Sequence, residues 1–162
     1  MVNNEAIVSI ISKISNKKGA PCKKTLQKIV FLIEAKNVDL GCDYGIHFYG
    51  PYSSDLDFAV RELCDEGILN IEYTLLEHKI SILDESSISE FDNPIVNQVV
   101  DEFAQDTPSE LELLATALYV YLKVRDIEKI HAGVVKIKGD KYSNQRIDSA
   151  IDRLKAQGYF VA

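Results

Sequence analysis

A glycine followed at once by proline, set between aromatic residues, fixes the path of this chain more firmly than any other feature. The stretch from Tyr44 to Leu69 reads YGIHFYGPYSSDLDFAVRELCDEGIL. Ile46 and Phe48 alternate with His47 and Tyr49, which predicts a short strand from Tyr44 to Tyr49. Gly50-Pro51 is expected to end it, because proline donates nothing to a strand ladder and glycine permits a corner. Ser53 or Ser54 then caps a helix running from Ser54 to Glu66, with Asp57 in capping-box position and Asp55 and Asp57 at the positive end of the helix dipole. Leu56, Ala59, Val60 and Leu63 form its inward stripe, and Gly67 stops it ahead of an apolar strand.

The segments on either side supply the partners this stretch needs. Ile7, Ile10, Ile11 and Ile14 recur at spacings of three and four, predicting a helix from Glu5 to Ser15. A turn over Asn16 to Pro21 leads to a second helix from Lys23 to Ala35, whose apolar arc of Leu26, Ile29, Val30 and Ile33 is widened by Phe31 and Leu32. Beyond Gly67, Ile68 to Tyr73 and Lys79 to Leu83 read as two strands around a turn near Leu76 to His78. Three helices, a strand and a terminal hairpin are the parts of a winged helix-turn-helix. The fold class expected is therefore α+β and mostly helical, with a winged helix-turn-helix-like unit and a small antiparallel sheet over residues 1–83.

Residues 84–93 are polar, acidic and without periodicity, and read as a linker to a helical second unit over residues 94–162. Asn93-Pro94 and Thr107-Pro108 are both cap-then-proline starts, the second completed by Glu110 as a capping box. The helix from Pro108 to about Lys123 carries apolar residues on so much of its surface that it should be largely buried. A helix over Asp126 to Lys138, with Ile127, Ile130, Val134 and Ile137 in register, contains Gly133. Gly139-Asp140 ends it, and a last helix from Asn144 to Gln157 follows, capped by Gly158. Tyr159 to Val161 is expected to add a strand.

Ala59, Leu63 and Gly67 match Ala150, Leu154 and Gly158 at one constant offset, and Tyr52-Ser53 precedes the first helix as Tyr142-Ser143 precedes the last. A generic glycine-capped amphipathic helix gives the same pattern, so the choice between coincidence and a second helix-turn-helix stays open. The outward faces differ. Asp55, Phe58, Glu62 and Asp65 make an acidic face that repels phosphate and suits a protein interface. Phe58 on that polar side suggests packing against the second unit, with a protein interface as the alternative. Lys136, Lys138, Lys141, Gln145, Arg146, Ser149 and Arg153 are the residues with chemistry for nucleic-acid contact. A further run, Lys13, Lys17, Lys18, Lys23, Lys24 and Lys28, reads first as a solvated face and second as a phosphate-binding one.

With 25 acidic against 18 basic residues and a net charge of -7, the chain as a whole repels nucleic acid. Three cysteines, an odd number, give no disulfide framework, and no apolar run is long enough for a membrane span. The start MVNNEAIVSIISKIS lacks a basic leader and a cleavage pattern, so the cytosol is the expected location, with no membrane partner. No phosphate loop, nucleophile elbow, zinc spacing or paired-carboxylate motif occurs. The expectation is a non-enzyme with no cofactor, no metal and no catalytic residue, and His47 beside Tyr49 and Tyr52 is expected to pack around the corner.

Phe48, Tyr49, Gly50, Pro51, Tyr52 and Ser53, then Leu56, Leu63, Gly67, Ile68 and Leu69, resemble the GPYS signature of a prokaryotic group that includes the YwgA-like proteins. That group is also distantly similar to the Panacea domain found in antitoxins. Lys24, Leu26, Gln27, Lys28 and the Phe31-Leu32 pair resemble the helix that precedes the signature. The resemblance implies a winged-helix-like N-terminal unit and a role compatible with regulation, and it carries over no catalytic residue. Two functions follow as expectations: a non-catalytic protein acting through protein contacts or self-association, and a DNA-binding regulator or antitoxin-like protein using the helix from Asn144 to Gln157.

Overall fold

The computed structural model describes residues 1–160. They form seven α-helices and two small antiparallel sheets, an α+β fold that is mostly helical. α1 spans Asn4–Lys18, α2 Lys23–Glu34, α3 Ser54–Asp65, α4 Pro94–Phe103, α5 Pro108–Val124, α6 Ile130–Lys138 and α7 Asn144–Ala156. β1 (Gly45–His47) pairs with β2 (Gly50–Tyr52), and β3 (Leu69–Tyr73) with β4 (His78–Ile82).

One core runs through the molecule. The isoleucine stripe of α1, the wide arc of α2 and the apolar residues of α5 belong to a single buried cluster with Leu56, Val60, Leu63 and the inner residues of α4, α6 and α7. α5 is buried on nearly every side: Leu111, Leu113, Leu114, Ala115, Ala117 and Leu118 are all at most 1% exposed. Each large side chain so placed contributes about 1.5–3 kcal/mol relative to exposure. Residues 1–83 and 94–160 therefore share a core across the acidic segment between them, part of which is a 3-10 turn at Glu85–Ser87.

The helix ends follow the capping chemistry. Ser53 accepts from the Leu56 amide, Ser143 from Arg146, Asn93 from Ile95 and Val96, and Thr107 from Glu110. α3 and α7 end alike: Gly67 and Gly158 have φ of +76° and +79°, and Ile68 and Tyr159 donate back to the carbonyls of Leu63 and Leu154. That is the Schellman geometry, which asks for glycine at the left-handed position. The sequence echo between these helices thus reaches their backbone hydrogen bonds.

Three expectations need correction. Gly50-Pro51 does not end a strand but begins one: Phe48 and Tyr49 turn the chain, and Gly50, Pro51 and Tyr52 pair with His47, Ile46 and Gly45. Proline is accommodated because the pair is only two strands wide, leaving an edge free of ladder bonds. The helix expected from Asp126 starts with a 3-10 turn at Ile127–Lys129, so α6 begins at Ile130, and Ile127 and Ile137 are 39% and 40% exposed instead of inward. Tyr159 and Phe160 lie outside any strand, and Val161 falls outside the described residues.

Candidate binding site

Two polar residues in the middle of the apolar helix α2 organise the site. Gln27 and Lys28 are 5% and 2% exposed, and both reach across to the backbone of the Gly-Pro hairpin. The Gln27 amide donates to the Ser53 carbonyl at 2.9 Å and accepts from the Ser53 amide at 2.8 Å. Lys28 donates to the Pro51 carbonyl at 2.6 Å. Buried backbone groups that a two-stranded ladder leaves unpaired need such partners. The two sequence segments that carry the family resemblance are thus in direct contact.

Behind the hairpin lies a carboxylate that the sequence reading passed over. Glu112, on α5, is fully buried. Lys24 Nζ stands 2.6 Å from its Oε1, while Lys141 and Lys138 stand 2.7 and 3.1 Å from Oε2. The buried Tyr142 hydroxyl donates to Oε2 at 2.6 Å. Burial alone would push the Glu112 carboxyl up, but the hydrogen bonds from Lys141, Lys24, Tyr142 and Lys138 outweigh it and hold it at about 2. Tyr142 moves the other way, raised by burial and by its bond to the carboxylate. One turn further along α5, Thr116 faces Gly50; a Cβ at Gly50 would come 2.8 Å from Thr116 Oγ1, and φ at Gly50 is +92°. Glycine is required there on both counts.

Lys28 completes the cluster. Burial lowers its ammonium to about 8, with Glu112 opposing the shift and Lys24 and Lys138 adding to it. Four ammonium groups therefore gather around one carboxylate, in a chain whose overall charge is negative. Lys138 also donates to the Phe48 carbonyl at 2.9 Å, so α6 latches the tip of the first hairpin. Lys24 and Lys141 lie 4.8 and 5.7 Å from the Tyr49 ring centroid.

On the open side is a cleft of about 520 Å3. Its floor is the N-terminal half of α2, one wall is Tyr49 and Tyr52 of the first hairpin, and the other is the β3–β4 turn from Thr74 to His78. The turn is anchored by β4: Ile80 donates to the Pro21 carbonyl at 2.8 Å, just before α2. Both tips carry apolar side chains into solvent. Phe48 is 86% exposed, Leu75 105% and Leu76 95%. His47 stacks on Tyr52 with ring centroids 4.8 Å apart, packing at the corner as its sequence neighbourhood suggests.

The residues singled out from sequence fall in several places. On α3, Asp55, Glu62 and Asp65 are exposed, as is Phe58; the expectation that Phe58 packs against the second unit is corrected, because the residue is 57% exposed and lines a pocket with Met1, Asp55 and Glu62. Asp55 accepts from the Asp43 amide at 3.3 Å. Of the residues considered for nucleic acid, Lys136, Lys141, Gln145, Arg146 and Ser149 are exposed, and of these Lys136, Gln145 and Ser149 make no ion pair among the described residues. The others form ion pairs within the chain: Lys138 and Lys141 with the buried Glu112, Arg146 with Glu110 at the surface, and Arg153 with Glu102 and Asp106 at 3.0 and 2.8 Å.

The lysine run near the N-terminus is likewise not a uniform solvated face. Lys17 pairs with Asp101 at 2.9 Å, Lys18 donates to the Asp106 carbonyl, Lys23 pairs with Asp57 at 3.3 Å, and Lys24 and Lys28 belong to the Glu112 cluster. His131, which has no partner nearby in sequence, meets Asp148 at 2.7 Å and Asn144 at 3.0 Å; those hydrogen bonds raise its pKa and tie α6 to α7. Among the described residues no group of three or more His, Cys, Asp or Glu side chains could hold a metal ion. No helix among them is long and apolar enough to cross a membrane.

No family model matches the chain. The uncharacterized protein YwgA of Bacillus subtilis (strain 168) is 28% identical over 144 residues, covering 82% of this chain and 84% of that relative.

Proposed function

We propose that this chain, a YwgA-like protein, is a non-catalytic protein that works through contacts with another protein, made by the face where the two hairpins flank the cleft. The observation that carries this reading is the set of exposed apolar side chains on the two hairpins that wall the cleft: Phe48 and Tyr49 on the first, Tyr73, Leu75 and Leu76 on the second. Such residues scattered singly need no explanation, whereas a cluster rimmed by charge is the usual mark of an interaction surface. The tips are also held in place. Lys138 fixes the first, Gln27 and Lys28 fix its base, and the Ile80–Pro21 bond fixes the second. A surface organised before binding loses less entropy on forming a complex.

The acidic face of α3, with Asp55, Phe58, Glu62 and Asp65, is the second candidate surface, favoured by one exposed aromatic instead of several. A DNA-reading role for α7 draws less support, because Lys138 and Lys141 serve the buried Glu112 and Arg146 and Arg153 are already paired with Glu110, Glu102 and Asp106. A photo-crosslinking residue placed at Leu76, and separately at Phe58, separates the two protein faces in host cells. The expected result is a discrete protein adduct from position 76. Adducts from position 58 alone would move the interface to α3, and no adduct from either position would contradict the reading.

A further inference from the structure

The cleft between the hairpin tips has chemistry of its own that a protein contact made by the rims does not use. Its volume of about 520 Å3 lies within the range of sites for small molecules. Lys23, Lys24 and Lys28 line the floor, while Tyr49, Leu75 and Leu76 supply apolar surface above it. The first turn of α2 carries two of these lysines and no acidic residue. The helix dipole favours the opposite arrangement, with carboxylates at the N-terminal end. Asp57 offsets Lys23 while also pairing with Arg61, and Glu77 pairs with Lys79, so the anion-binding role falls to Lys24 and Lys28.

At and behind that floor, Lys24, Lys138 and Lys141 pair with the single carboxylate of Glu112, and Lys28, which donates to the Pro51 carbonyl, lies within electrostatic reach of it. Like charges crowded at low dielectric repel each other, and a second anion at the open side relieves that repulsion. The Lys28 ammonium is lowered to about 8 chiefly by burial, with Glu112 opposing the shift and Lys24 and Lys138 adding to it. The Tyr49 ring centroid stands 4.8 Å from the Lys24 ammonium, and Leu75 and Leu76 line the same cleft, so the favoured ligand has an apolar body attached to its charge.

We propose that the cleft binds a small organic oxyanion, a carboxylate or phosphate carried on a planar apolar body, with Lys24 and Lys28 holding the anion and Tyr49, Leu75 and Leu76 covering the body. The site goes beyond the protein contact made by the rims and does not depend on it.

The purified full-length protein is titrated with phenyl phosphate and with benzoate at constant ionic strength, with inorganic phosphate and benzyl alcohol as the comparison probes, and binding is followed by NMR. Saturable shifts are expected at Cys22 to Lys28 and at Leu75 to His78 for both aryl anions. Lys28→Met is expected to weaken phenyl phosphate about tenfold, equivalent to about 1.4 kcal/mol. Leu76→Ser is expected to weaken phenyl phosphate but not inorganic phosphate. Lys23→Met, at a partly exposed position, gives the same test with a smaller loss if Lys28→Met does not fold. Inorganic phosphate binding as tightly as phenyl phosphate would overturn the apolar part of the proposal. Shifts matched by benzyl alcohol, insensitivity to the lysine substitutions, or no saturable shift with either aryl anion would overturn the site.

Discussion

Gln27 and Ser53 exchange two hydrogen bonds, 2.9 Å from the side-chain amide to the carbonyl and 2.8 Å back from the backbone amide. Twenty-six residues apart in sequence, they make one helix read the backbone at the N-cap of another. Ser53 is fully buried and its hydroxyl caps α3, so the same residue serves both elements.

Gln27→Leu keeps the side chain's bulk but removes both bonds, leaving the Ser53 amide and carbonyl without their partner in a buried setting. Each orphaned group costs about 1–3 kcal/mol, so a loss of about 2–4 kcal/mol is expected in urea unfolding. A loss under about 0.5 kcal/mol would mean that water or a shifted backbone takes over the pairing.

Glu112 makes stability depend on acid. Its folded-state pKa of about 2 lies below the ordinary 4.5, so its contribution is fully present above about pH 4.5 and is lost as pH falls toward 2. Glu112→Gln should therefore be destabilised by about 3 kcal/mol at pH 7, with the gap to the wild type narrowing by about 2 kcal/mol at pH 3. Unfolding curves at both pH values check the sign. A gap that widened in acid would contradict the assignment of the carboxylate as the anchor of the lysine cluster.

Gly133 records the closeness of α5 and α6. A Cβ at this position would stand 2.4 Å from Val120 Cγ1 and 3.2 Å from Cγ2. Alanine is the better helix former by roughly 1 kcal/mol, yet Gly133→Ala is expected to destabilise by about 1–3 kcal/mol because the β-branched Val120 has no spare rotamer. Adding Val120→Ala should recover part of the loss attributed to the clash, giving a favourable coupling energy in a double-mutant cycle.

Periodicity and capping made the helices legible: Leu56, Ala59, Val60 and Leu63 are all inward, and the cap residues Ser53, Asn93, Thr107 and Ser143 all accept the expected backbone bonds. The hairpin at Gly50-Pro51 was not legible, because a proline in a strand is tolerated only when the strand is an edge, and edge position depends on tertiary context. The Glu112 cluster was missed for a related reason. A glutamate inside LELLATALYVYL marks a buried carboxylate that needs cations, but its partners lie far off in sequence, Lys24 88 residues before it and Tyr142 30 after it. The one usable signal was local: Glu112 and Thr116 sit one turn apart in the otherwise apolar stretch from Leu111 to Leu122, and Gln27 with Lys28 interrupts the apolar arc of α2 in the same way.

The measurement that bears most directly on the contact surface is quantitative affinity capture from the host, comparing wild type with the Phe48→Ser, Leu76→Ser double variant and with Phe58→Ser. Both hairpin side chains are largely in solvent, so the double variant should fold normally, as its urea midpoint would verify. A discrete partner retained by wild type and by Phe58→Ser, and reduced about tenfold or more by the hairpin variant, is the predicted result. Equal capture by wild type and the hairpin variant would contradict it.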